Sequence, residues 1–434
     1  MNVTDRQARA VGILQNNDTG LFIKPGPRQY PHQWNWDTAF VAIGLSNVDP
    51  IRAWQEIRAL LASQWGDGMV PHIVYHTGPS DYFPTPDFWQ IHANPDAPEV
   101  DTSGLTQPPI LATAVRLLHD RAPDTAASAG MVREVYPQLL AYHRWLHTSR
   151  DPENSGLVAI IHPWESGTDN ATRWIEPMAR IIPTDLPAFR RRDQVHVSPE
   201  ERPSQDDYDR FIYLIDFFRR RQWRPAALYR ESPFLVQDTL FNALLYRAND
   251  DLRALAVELS QPTAEIEAWQ ERTRQAFRQR LWHSRDGLYY DYDLRVQAPI
   301  VENTCACFVP LFAGLPDEEA AGRLVTGHLL NPDEYAPDGR LRYYLSSTAR
   351  SSPHWQPRRY WRGPVWVPVN WLLIHGLRRY GYGDLAELIR RRTLDLIDHA
   401  GFHEYYDPRD GTGCGSDDFS WTAALAIDLA RDFT

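Results

Sequence analysis

Three stretches of this 434-residue sequence bring carboxylates and indoles close together. In Tyr30-Pro-His-Gln-Trp-Asn-Trp-Asp37, an acid follows two tryptophans directly before a helix-like run. An indole face stacks on a pyranose while a carboxylate grips its hydroxyls, so the combination suits a sugar. The competing reading of Asp37 is a helix N-cap, accepting a bond from a free backbone N–H. In His162-Pro-Trp-Glu-Ser-Gly-Thr-Asp-Asn-Ala-Thr-Arg-Trp174, Glu165 and Asp169 lie four apart around Gly167. A general acid for a glycosidic oxygen needs its pKa raised toward neutrality, and neighbouring indoles that exclude water favour the protonated form. Asp169, beyond the flexible glycine, is the candidate acid; Glu165 is assigned to holding the loop. In Gly401-Phe-His-Glu-Tyr-Tyr-Asp-Pro408, Glu404 stands among aromatic residues, upstream of Gly411, Gly413, Gly415 and the pair Asp417-Asp418. The pair reads as capping residues, with Asp418 capping the last helix. Glu404 is then the candidate base.

Hydrolysis with inversion needs one carboxylic acid to protonate the leaving oxygen and one carboxylate to activate water from the opposite face. Two acids from distant loops fit that geometry. Other chemistries lack their signatures. The 15 histidines are scattered without HExxH, no calcium loop occurs, and neither GxSxG nor a phosphate loop is found. No metal and no cofactor is expected.

Composition narrows the partners. Sixteen tryptophans exceed what packing normally requires, so some are expected to line a ligand site. A net charge of -11 argues against nucleic acid, and any anionic ligand must be met by a local arginine. Cys305, Cys307 and Cys414 have neither CxxC spacing nor a disulfide framework, and the first two read as small core residues. The opening segment MNVTDRQARAVGIL lacks a continuous apolar stretch, and no run of about 18 apolar residues follows. The expectation is a reduced, cytoplasmic protein without a membrane partner; a homo-oligomer is compatible with the sequence.

The elements that must position these loops are helical. Periodicity of three and four residues appears over 4–16, 37–46, 50–64, 107–119, 131–148, 206–221, 234–248, 262–281, 318–329, 366–380, 383–398 and 420–432, with almost no convincing strand. Between these lie long connections, 17–35, 66–104, 150–205, 282–304 and 331–364, of a length that is usually functional inside a compact domain. Helical hairpins in a ring with aromatic loops at one end predict an all-α (α/α)6 barrel, one catalytic domain over 1–434. The polar, proline-bearing stretch 176–210 reads as a mobile flap over the pocket, against the plainer reading of a disordered surface loop.

With these loops identified, the sequence resembles glycoside hydrolase family 63, specifically its short bacterial members that hydrolyse glucosylglycerate and mannosylglycerate. HQWNWDTAF is similar to the family's first sugar-binding loop, WESGTDNATRW to its general-acid loop, and HEYYDP with DDFSWTAAL to its general-base region. Tyr360-Trp-Arg-Gly-Pro-Val-Trp366 is similar to the segment lining the glycone subsite. The resemblance implies Asp169 as proton donor and Glu404 as water activator. It also implies Tyr30, Trp34, Trp36, Asp37, Gln107, Trp164, Gly167, Tyr360, Trp361 and Trp366 around the sugar. His72, Tyr82, Arg202 and Tyr208 are placed around a glycerate, whose carboxylate needs an arginine fork and hydroxyl donors. Arg190, Arg191 or Arg192 could replace Arg202.

The implied activity is inverting cleavage of an α-glycosidic bond in a small anionic glycoside. A trehalase-like or oligosaccharide α-glucosidase on the same barrel would take a neutral substrate instead. An (α/α)6 sugar epimerase would use histidines, of which His72, His162, His354 and His403 are available. A noncatalytic carbohydrate-binding protein would keep the tryptophans and show no turnover.

Overall fold

Helix-starting chemistry recurs along the chain. Asp49, Asp124 and Asp238 each accept a backbone N–H from the turn that follows, and Ser204 with Asp207 forms a reciprocal capping box. In the computed structural model, which describes residues 3–76 and 82–431, the first half of the chain holds α1 (Val3–Asn17), α2 (Asn35–Leu45), α3 (Pro50–Leu61), α4 (Pro86–Trp89), α5 (Leu111–Asp120), α6 (Thr125–Ser149) and α7 (Ile175–Ala179). There follow α8 (Gln205–Arg219), α9 (Pro225–Glu231), α10 (Thr239–Glu258), α11 (Ala264–Ala276), α12 (Val309–Ala313) and α13 (Glu318–Gly322). The last three are α14 (Val367–Arg379), α15 (Gly383–Ala400) and α16 (Ser420–Leu429).

Burial sorts these helices into two sets. Every residue of α2 and of α16 is buried, as expected of helices apolar nearly all round, whereas α15 buries a single stripe. Helices α2, α5, α10, α12, α14 and α16 pack in succession, each on the next, and α16 returns to α2. Outside them, α1 lies on α16, α3 on α2 and α5, α6 on α5 and α10, α11 on α10, and α15 on α14 and α16. The protein is therefore predominantly helical. The described strands are two or three residues long, such as Gln33–Trp34 antiparallel to Ile73–Val74 and Tyr405–Tyr406 antiparallel to Gly413–Cys414. Among the described residues no helix is long and apolar enough to cross a membrane.

Several boundaries differ from the sequence reading, each for a local reason. Helix α2 starts at Asn35, with Trp34 at the N-cap, so Asp37 lies within the first turn and is not the capping residue. Helix α16 follows Phe419, which makes no side-chain cap bond; Asp418 adopts a left-handed conformation with φ 45°, and its carbonyl accepts from Asn17 Nδ2. Asp418 is thus not the cap. The segment expected at 131–148 begins at Thr125, because Asp124 caps it and Pro137 is accommodated inside. The segment expected at 107–119 begins only at Leu111, since Pro108 and Pro109 precede it. The helix expected at 262–281 changes to a wider π-helical turn at Phe277–Leu281, as does α13 at Arg323–Leu329. Cys305, Cys307 and Cys414 are free and buried.

The crossing of α2 and α16 depends on one small residue. A Cβ at Gly44 would overlap the backbone of Ala424, so the two helices approach as closely as backbones permit. Gly44→Ala is expected to force them apart and lower the unfolding free energy by about 1–3 kcal/mol. A urea midpoint at or above that of the wild type would contradict this contact.

Candidate active site

The N-terminal ends of α2 and α16, with the segments that precede α5 and α14, open into one pocket. Behind the Asp169 loop, Glu165 is fully buried. It accepts two bonds from Arg150, at 2.6 and 3.1 Å, and backbone bonds from Ile161 and Thr106. Its oxygens are committed to the loop, as expected for a structural acid. On the far side, Arg173 binds Asp238, Asp291 and the Thr168 hydroxyl, tying the residue before Asp169 to the cap of α10. Between them Gly167 has φ +69°, and a Cβ there would lie 2.7 Å from the Trp36 ring. Only glycine lets the acid loop lie against that indole.

Glu404 is positioned by a hairpin. Its backbone N–H donates to Ser416 and the Ser416 N–H donates back to its Oε2 at 3.0 Å. Gly415, at φ +71°, leaves room for the carboxylate, since a Cβ would stand 2.5 Å from Oε2. Tyr30 Oη donates to Oε1 at 2.6 Å, and Arg202 Nη1 reaches both oxygens at 3.3 and 3.4 Å. Arg202 Nη2 donates to Tyr30 Oη at 2.7 Å, and the guanidinium lies 4.3 Å from the Tyr360 ring centroid.

Asp37 and Asp169 line the same pocket. Burial, opposed by Arg202 and reinforced by Glu404, pushes the Asp169 carboxyl up to about 7. Burial first, then Glu404 and Asp169, hold the Asp37 carboxyl well above the usual range. His72 is buried and pushed down to about 3, chiefly by desolvation and then by His162, so it is neutral at physiological pH. His162 uses both ring nitrogens structurally, toward Trp164 N and Phe211 O. His354 and His403 do not line the described pocket, so a histidine acid–base pair finds no support.

Of the residues singled out in the sequence, Tyr30, Trp34, Trp36, Asp37, His72, Tyr82, Gln107 and Trp164 line the pocket, as do Gly167, Arg202, Tyr208, Tyr360 and Trp361. Trp366 is the exception. It stacks behind Trp361, with centroids 3.7 Å apart and planes at 1°, and its Nε1 donates to the Tyr360 carbonyl. Gln107 Oε1 accepts from Trp36 N, helping to start α2. Gln29, Asp193, Phe211, Phe419 and Trp421 line the pocket without having been singled out. Trp421 was legible in principle, being an indole in the first turn of a helix next to the base loop; Asp193 carried no motif.

Helices and pocket together define an enzyme of carbohydrate hydrolysis, a glycoside hydrolase. The model of the mannosylglycerate hydrolase MGH1-like glycoside hydrolase domain matches residues 30–422, and the chain belongs to that family. It is 46% identical to the mannosylglycerate hydrolase of Thermus thermophilus over 98% of this chain and 100% of that one. It is 36% identical to the glucosylglycerate hydrolase of Mycolicibacterium hassiacum over 98% of this chain and 97% of that one. The crystal structure of a family 63 mannosylglycerate hydrolase from Thermus thermophilus in complex with Tris and D-glycerate superposes with a TM-score of 0.93. That match has 45% identity and covers 98% of this chain and all of the other.

The raised carboxyl has a consequence for stability. Between the ordinary value of 3.8 and about 7, the folded protein keeps a proton on Asp169 that the unfolded chain has released. Stability therefore falls as pH rises through that window. Asp169→Asn removes this dependence, so its stability relative to wild type should improve steadily from pH 4 to 7, by at most about 1.4 kcal/mol per pH unit. A difference in urea unfolding that stays flat over that range would show an unperturbed Asp169.

Proposed function

We propose that this glycoside hydrolase is an inverting α-glycosidase on an (α/α)6 barrel, cleaving mannosylglycerate, glucosylglycerate or both to free sugar and glycerate. The observation that carries the reading is the shared pocket of two acids in contrasting environments. Asp169 is desolvated and pushed up to about 7, while Glu404 is held by Tyr30, Ser416 and Arg202. Asp169 donates its proton to the glycosidic oxygen as the bond to the anomeric carbon breaks. Glu404 takes a proton from the water that attacks the opposite face. The six-helix succession from α2 to α16 supports the barrel.

The sugar lies among Trp34, Trp36, Asp37, Gln107, Trp164 and Gly167, with Tyr30, Tyr360 and Trp361 completing the wall and Trp366 backing it. Burial raises the Asp37 carboxyl well above its ordinary range, which favours the protonated form that can both donate to and accept from sugar hydroxyls. Arg202 is the lone guanidinium among the described lining residues, and with His72, Tyr82 and Tyr208 it receives the glycerate. The segment 176–210, which carries Arg202, closes over the bound substrate and excludes bulk water. Relatives matched along nearly the whole chain are named for both glycerate glycosides, which favours this reading over a neutral disaccharide.

Hydrolysis of a panel of mannosylglycerate, glucosylglycerate, trehalose and kojibiose tests the assignment. Turnover of at least one glycerate glycoside well above both disaccharides is expected, and preference for trehalose would replace it. Followed by NMR, the sugar should appear first as the β anomer; retention would remove Glu404 from the base role.

The pH profile supplies a separate check. Because the acid must be protonated, kcat/KM should fall as pH rises through about 7. An alkaline limb displaced by two units or more would point to another proton donor.

A further inference from the structure

The groups assigned above to the substrate's carboxylate already share their space with a carboxylate of the protein. Asp193, on the segment between α7 and α8, lines the pocket with Tyr82, Arg202 and Tyr208. Its Oδ2 stands 3.8 Å from Arg202 Nε. That Nε–H is buried without a hydrogen-bond acceptor, although Nη1 and Nη2 are engaged by Glu404 and Tyr30. Arg191 grips both oxygens of Asp193, Nε at 3.0 Å from Oδ1 and Nη2 at 2.6 Å from Oδ2, with its guanidinium 4.4 Å from the Tyr208 ring centroid. Burial first, and then the Asp193 charge, raise the Tyr208 hydroxyl's pKa, and the same charge bears on Tyr82. The carboxylate thus faces the same hydroxyls as the predicted aglycone.

We propose that Asp193 is an internal counter-ion of the aglycone subsite, standing near the Arg202 Nε–H that a substrate carboxylate would take. The inference rests on the reading of Arg202 as the carboxylate clamp. Two carboxylates cannot share one guanidinium edge without mutual repulsion, so an anionic aglycone must move Asp193 aside. Arg191 gives Asp193 a cation to move with. Alongside lies a second, open depression, which shares Gln29 and Tyr82 with the pocket and is lined by Arg28, Arg192 and His196. A neutral aglycone carries no charge for Asp193 to repel, so the residue weighs against the anion alone. Asp193 is therefore a positioning residue acting through Arg202, and it sets how tightly the subsite holds a carboxylate.

Calorimetric titration of D-glycerate and of glycerol into wild type, Asp193→Asn, Asp193→Ser and Asp193→Glu separates charge from packing. Both neutral variants should bind D-glycerate about tenfold more tightly than wild type with glycerol binding little changed, while Asp193→Glu stays near wild type. The serine variant keeps the test decisive if the asparagine variant folds poorly. Wild type that binds glycerate and neutral variants that bind it equally or more weakly overturn the counter-ion role alone. Absence of glycerate binding in every variant, together with no turnover of either glycerate glycoside, overturns the clamp and the proposed activity together.

Discussion

Four carboxyl groups, Asp37, Asp169, Asp193 and Glu404, line one pocket whose described lining carries a single guanidinium, Arg202; Asp193 is gripped by Arg191, which leaves the other three to share that one cation. Three full charges cannot be kept away from water beside one cation, so the protons must be divided unequally. Glu404 takes the donors: the Tyr30 hydroxyl, the Ser416 amide and both reaches of Arg202 Nη1. At Asp169 desolvation outweighs the attraction of Arg202, and at Asp37 burial is compounded by its two acidic neighbours. On the proposed reading, acid and base are thus distinguished by their surroundings and not by residue type, as the division of work in an inverting glycosidase requires.

That unequal division is only as good as the scaffold that fixes it. The pocket draws on the starts of helices in the inner succession, where backbones are held by packing on both sides. Two further buried ion networks secure the acid loop from behind, Arg150 with Glu165 and Arg173 with Asp238 and Asp291. Removing one partner from such a network would leave a charge stranded in the interior, which makes the loop intolerant of local change. Glycine serves the same end at two places. Gly167 admits the Trp36 ring and Gly415 admits the Glu404 carboxylate, each at a positive φ that other residues adopt only with strain.

How much of this was legible in the sequence follows from the range of each interaction. The two acids and the indoles near them were readable because they sit within short loops, where neighbours in sequence are neighbours in space. The helical class was readable for a similar reason, since its periodicity is local. Capping was less so: Asp37 and Asp418 have the right side chain, yet α2 starts three residues earlier and α16 one residue later than their types suggest. Trp366 belongs to the motif but is displaced from the wall by Trp361, a matter of packing that spacing does not encode. Asp193 was invisible because its meaning comes entirely from Arg191, Arg202 and Tyr208 around it.

The same charge balance bears on why an anionic glycoside suits this pocket. On the proposed reading, a substrate carboxylate takes the place of Asp193 beside Arg202 and engages the guanidinium whose attraction lowers the Asp169 pKa. That engagement favours the proton on Asp169, so arrival of the substrate would strengthen the proposed general acid at the moment it is needed. A neutral disaccharide would bring no such charge, leaving Arg202 on Glu404 and Tyr30. On this argument the arginine is more than an anchor for the aglycone: it couples recognition of the carboxylate to the protonation state of the group that cleaves the bond.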